Sequence, residues 1–168
     1  MIAGQEKLTV SIEFQNNKGP ASEPARISDQ LSRVYEGPAW LGPALKAILS
    51  DVTQEKAAQR PIDHAHTIWE LVLHIAAWMR IARERLAATQ TRDHTEHENW
   101  PAMAGSWQDA LAVLEREERQ LERAILLFPD GRLNEPAPAS EPQTFYELLH
   151  GVVQHTAYHA GQIVLLKK

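Results

Sequence analysis

The sequence predicts an all-α protein, a four-helix bundle preceded by an N-terminal extension, and three observations carry that prediction. Apolar residues recur at helical spacing over long stretches of the chain. Three of these stretches open on a Thr or Ser followed three residues later by Glu or Asp, the pairing that satisfies the free amide donors of a helix start. Only one short segment, residues 8–14, alternates apolar and polar side chains as a half-buried strand does.

Taken in order, residues 1–25 read as extension and linker, and residues 26–168 as the bundle domain. Leu8, Val10, Ile12 and Phe14 form the alternating strand, which either pairs with a second copy of the chain or packs loosely, and NNKGPASEPA (residues 16–25) is linker in composition. Ser28 caps a short helix through Tyr35, Glu36-Gly37-Pro38 breaks it, and a second run extends from Trp40 to Glu55, the two pieces forming one broken helix. Thr67 and Glu70 open a long helix over residues 68–88. Ser106 and Asp109 open the next, with a seam of Trp107, Leu111, Leu114, Glu118, Leu121 and Ile125, ending near Phe128 before Pro129-Asp130-Gly131. Pro136, Pro138 and Pro142 fill a loop, and Thr144 with Glu147 opens the last helix. The connection over residues 89–105 is long and polar yet contains Trp100 and Met103; such a length marks a functional loop or a crossover between non-adjacent bundle positions.

The 168 residues, 43% of them hydrophobic, are enough for one domain with a real core. A net charge of −5 argues against a surface that tracks phosphates, so nucleic acid is not an expected partner. There is no cysteine, which leaves no disulfide framework and no thiolate ligand; a metal site here must use His, Asp or Glu. No basic leader precedes an apolar run, and no stretch approaches the roughly 20 apolar residues of a membrane span. The expectation is a cytoplasmic protein, self-associating as a homodimer.

The last helix poses the functional question. Phe145, Leu148, Val152, His155, His159, Gln162 and Leu166 follow the 3,4 spacing of a face turned to the core, apolar at both ends and polar in the middle. Burying two imidazoles and an amide costs several kcal/mol unless each finds a partner. Side chains four apart on a helix have β-carbons about 5–6 Å from one another, close enough for two imidazoles to meet at one ion. On the long helix before it, Leu71, His74, Trp78 and Ile81 share a face, so His74 is a candidate third ligand from a second element. Three neutral imidazoles suit a divalent cation, zinc or nickel first, with copper, iron or manganese as further candidates, and leave a position open for water or substrate.

The remaining candidates are weaker. Gln162, one turn beyond His159, is placed to partner a ligand or touch substrate, and Glu118, on the seam of its helix, to orient a histidine. Trp40, Trp69, Trp78 and Tyr158 are candidate pocket walls. His64 and His66 precede a helix and read as solvated residues near the mouth; His94 and His97 lie in the polar loop. Glu147 and His150 form one Glu-x-x-His element, where a di-iron bundle requires two. The run Glu115–Arg123 otherwise reads as a solvated, charge-paired helix face.

Three stretches resemble a known family: Tyr35-Glu-Gly-Pro-Ala-Trp-Leu-Gly-Pro43, Ile68-Trp-Glu-Leu-Val-Leu-His-Ile-Ala-Ala-Trp78 and His155-Thr-Ala-Tyr-His-Ala-Gly-Gln-Ile163 are similar to the DinB/YfiT-like superfamily of metal-dependent enzymes. The resemblance covers about residues 26–168. It implies a bundle in up-down-down-up order and a divalent metal on three histidines, which fall on His74, His155 and His159. Characterised relatives include S-transferases that use bacillithiol or mycothiol and a mycothiol-dependent isomerase, which implies a low-molecular-weight thiol as co-substrate, activated by the metal. Two positions depart from the pattern: Ala160 stands where many members have Arg, and Leu41 where some have His. Two other classes stay open, a metal-dependent hydrolase, for which Glu118 is the one candidate base, and a non-catalytic bundle that binds a metal or small ligand.

Overall fold

The computed structural model describes residues 21–168, and the expected strand over residues 8–14 lies outside them. Four long helices form the bundle: α1 (Glu23–Tyr35), α4 (Ile68–Ala87), α6 (Trp107–Leu126) and α7 (Phe145–Leu166). Three shorter ones, α2 (Leu45–Leu49), α3 (Gln54–Ala58) and α5 (Glu96–Asn99), sit in the connections. No strand occurs among the described residues, only isolated bridges such as Ala39 with Gly42.

The three expected capping boxes are present. Thr67, Ser106 and Thr144 accept from the amides of Glu70, Asp109 and Glu147, and those carboxylates return to the cap amides at 2.7, 2.8 and 2.7 Å. Each such cap stabilises its helix by about 1 kcal/mol.

Two boundaries differ from expectation. Helix α1 starts at Glu23 rather than at Ser28, because Ser22 caps it and Pro24 occupies the first turn, where its missing N–H costs nothing; Ser28 is instead buried inside the helix. The run expected over residues 40–55 is two short helices. Gly42 at φ 130° turns the chain before α2, and Thr53 caps a separate α3.

Around the bundle, α4 packs on α6 and α7, and α1 packs on the same two from the other side. Trp69 in the first turn of α4 meets Trp107 at the start of α6, ring centroids 5.8 Å apart. The two neighbours therefore begin at one end, and the connection between them has to travel back along a helix about 30 Å long. The segment over residues 88–106 is thus no crossover. It is a strap laid along α4: Arg85 contacts His94 at 3.3 Å, Trp78 bonds Asn99, and Thr67 meets Met103 near the far end. The core beneath is closed by fully buried Trp107, Phe145, Leu114, Leu121, Ile75 and Met79.

Candidate metal centre

Helix periodicity puts His74 on the inward face of α4 and His155 and His159 on that of α7, and the packing of α4 on α7 brings the two faces together. The flanking seam residues Leu71, Leu148, Val152 and Leu166 are all buried, so the two faces are pressed together and the imidazoles with them. The Nε2 atom of His155 lies 3.0 Å from that of His74 and 3.0 Å from that of His159. Two donors about 2 Å from a shared ion stand about 3 Å apart, so this spacing fits one cation between three rings. One donor atom from each of the three lies within 4.8 Å of the others.

The outer nitrogens decide which way the protons point. His74 Nδ1 donates to the Asn99 carbonyl at 2.8 Å, and His159 Nδ1 donates to Gln162 Oε1 at 2.6 Å. In a neutral imidazole one nitrogen carries the proton and the other a lone pair, so both rings turn a lone pair toward the cluster's centre. His155 Nδ1 is buried without a partner, and an N–H on its Nε2 can satisfy only one of the two lone pairs facing it. A divalent cation accepts from all three. The donor set therefore fits a zinc-like ion.

Electrostatics agree with that geometry. Burial pushes His74 down to about 4 and His155 down to about 3, with neighbouring imidazoles adding to the effect, and burial lowers His159 as well. All three are neutral near pH 7, the form that coordinates.

The strap supplies two groups that periodicity could not reveal. Asn99 bonds His74 through its backbone and accepts from Trp78 Nε1 through its side chain, at 2.8 Å each. Trp100 lies flat on His74, centroids 3.7 Å apart and planes within 5°, and His66 stacks on its other face at 3.6 Å. A sequence signal for the fold-back exists: Thr95-x-x-Glu98 repeats the capping-box spacing, and it caps α5, which delivers Asn99. His66 is thus a wall of the site's mouth rather than a free loop residue, its Nδ1 3.5 Å from Glu70.

The other candidates divide. Trp78 lies beside His155, centroids 5.7 Å apart, and Tyr158, largely exposed, stands 5.1 Å from His159. Trp40 is fully exposed and lines a groove between α1 and α7, away from the histidines. Trp69 is core, against Trp107. Glu118 is buried on α6, where the charges acting on it come from Glu122, Glu36, Arg119 and Lys46; no hydrogen bond joins it to a histidine. Its seam position was right, but α6 turns that seam toward α1. His150 lies 3.4 Å from Glu23, and Glu147 is spent on its helix cap.

A cavity of about 200 Å³ adjoins the cluster beside Trp78 and His155, and one of about 240 Å³ lies a side chain away, lined by Gln162 and His66. No helix among the described residues is long and apolar enough to cross a membrane.

Residues 41–163 match the family model described as the DinB superfamily. No curated protein matches the sequence. Among solved structures, the fold is similar to a conserved protein from Enterococcus faecalis at 16% identity and a TM-score of 0.65, covering 88% of this chain and 96% of that one.

Proposed function

The chain belongs to the DinB superfamily, and we propose that it is a metal-dependent enzyme in which His74, His155 and His159 hold a divalent cation, zinc or nickel, and a low-molecular-weight thiol is the co-substrate of a transfer reaction. The observation that carries the metal reading is the pair of outer acceptors: the Asn99 carbonyl and Gln162 Oε1 fix two rings with their lone pairs turned inward. The thiol reading rests on the resemblance of the histidine motifs described above. A bound cation would supply Lewis acidity and lower the pKa of a coordinated thiol or water.

The protein's own residues do the rest. Asn99 and Gln162 orient the ligands, Trp100 covers the face of His74, and Trp78 shields His155, so that water reaches the cluster from few directions. Tyr158 and His66 border the opening. In the transfer, sulfur forms the new bond to an electrophilic carbon, the leaving group departs with its electron pair, and the thiol proton leaves through the mouth.

A hydrolase remains the second reading, favoured by one observation: His66, with Glu70 at 3.5 Å, is an imidazole at the mouth that can serve as a base, which Glu118 across the bundle cannot. The assembly we propose is a homodimer, for which Trp40, fully exposed beside the α1–α7 groove, is the natural contact.

Elemental mass spectrometry on the untagged protein tests the reading. The expected result is close to one metal per chain, lost in a His155→Ala, His159→Ala double variant, followed by conjugation of an electrophile only when a small thiol is added. No metal after incubation with zinc or nickel would overturn it.

A further inference from the structure

The cavity of about 240 Å³ near the histidines is lined mostly by carbon. Leu71 and Leu166, both buried, form its floor, and Ile62 and Leu165, 52% and 62% exposed, form its rim. Large apolar side chains left open to water around a concave surface mark a binding surface more often than chance exposure. Its two polar residues are the ones that reach the cluster: Gln162 accepts from His159, and His66 stacks on the Trp100 ring that covers His74. The cavity therefore lies next to the histidine site, one side chain removed from His159 and from the Trp100 ring that covers His74.

No charged side chain lines it, and the nearest cations along the chain are engaged elsewhere. Arg60 bonds the Glu70 carboxylate and the Ala65 carbonyl, and Lys167 bonds Asp51 and the Ile48 carbonyl. The second cavity is also mostly apolar, with Leu148 and Val152 beside Trp78 and His155, and the Glu147 carboxylate near it is held by the Thr144 cap. A volume of about 240 Å³ is below the roughly 300 Å³ at which drug-sized sites begin, and at about 30 Å³ per water-sized unit it holds about eight heavy atoms.

We propose that this cavity receives an uncharged, apolar group of one reactant, a short alkyl chain or a single ring, and that it selects against a carboxylate at the same place. The inference rests on the reading of the histidine cluster as the reacting centre, and it assigns the apolar part of the substrate to the Gln162 side.

The test is a ladder of straight-chain primary alcohols from ethanol to octanol, titrated into the purified full chain with backbone amide NMR shifts of Gln162 and Leu165 as the readout, beside carboxylates of equal length. Affinity is expected to rise about four-fold per methylene and then level off as the cavity fills, with the carboxylates much weaker at every length. A Leu165→Arg variant, at an exposed position, is expected to lose the chain-length dependence of the alcohols and to gain affinity for the carboxylates. Flat affinity along the ladder, or carboxylates binding as well as alcohols, would overturn the proposal. The readout needs no metal, so a protein that takes up neither zinc nor nickel yet shows the ladder would overturn the metalloenzyme reading and leave the cavity assignment standing, whereas metal content with a flat ladder would do the reverse.

Discussion

Among the places where this bundle buries titratable groups, two are built differently. Between α4 and α7, three imidazoles aim nitrogens at one point while Asn99 and Gln162 take the protons on the far side. Between α1 and α6, Glu118 is just as buried, but its surroundings are Tyr35, Glu36 and Glu122, and burial and like charge push its carboxyl up to about 7. Tyr35 is raised in turn by the same burial and by Glu115 and Glu118. Burial alone thus does not make a site. What separates the two is convergence: lone pairs fixed toward a common centre in one, a lone carboxyl raised by burial and by Glu122 and Glu36 in the other.

The largest effect that tests this contrast is acid sensitivity. The histidines are held below their ordinary pKa of 6.5, so the unfolded chain binds their protons first and stability falls as pH drops from about 6.5 toward 4 and 3. For metal-free protein we expect a loss of several kcal/mol over that window, measured by urea unfolding at stepped pH. A His74→Ala, His155→Ala variant should flatten the dependence, and an equally steep curve in that variant would place the acid-labile groups elsewhere.

Glu118 has the opposite sign and a smaller effect. Its folded pKa of about 7 lies above the ordinary 4.5, so its contribution is intact below 4.5 and fades as pH rises through 7. Glu118→Gln should stabilise the protein by about 2 kcal/mol at pH 8, raising Tm by about 4–8 °C, and leave it unchanged at pH 4. Because wild-type Glu118 partly offsets the histidines between pH 4.5 and 6.5, the variant should also steepen the acid curve there. A variant less stable than wild type at pH 8 would mean that the carboxylate is paired after all.

The smallest effect concerns the orienting group. Gln162→Leu keeps the size but removes the acceptor for His159 Nδ1, and metal affinity should fall by about ten-fold, read by competition with a chelator. Unchanged affinity would show that packing, not the amide, fixes the ring.

Much of this was legible in the chain. The capping boxes at Thr67, Ser106 and Thr144 located three of the long helices, because a cap is a local exchange of hydrogen bonds that needs no neighbour. The α7 seam named His155, His159 and Gln162 as inward-facing, because a helix has one period. The cap of α1 was placed at Ser28 and stands at Ser22, six residues earlier, because packing buries Ser28 inside the helix. Trp40, read as a pocket wall, lines the α1–α7 groove rather than the histidine site, because its loop obeys no period.

What the sequence by itself determined is which residues share a face; what the tertiary structure decided is which face meets which. His74 faces α7 and Glu118 faces α1 only because α4 and α6 sit side by side between the other two helices. That α4 and α6 begin at the same end decided the strap as well: the chain must return along α4, and the return lays Asn99 and Trp100 on His74. Helical periodicity is set by the backbone of one segment, whereas neighbours and return paths are set by the burial of all segments together, and no single stretch of sequence encodes that sum.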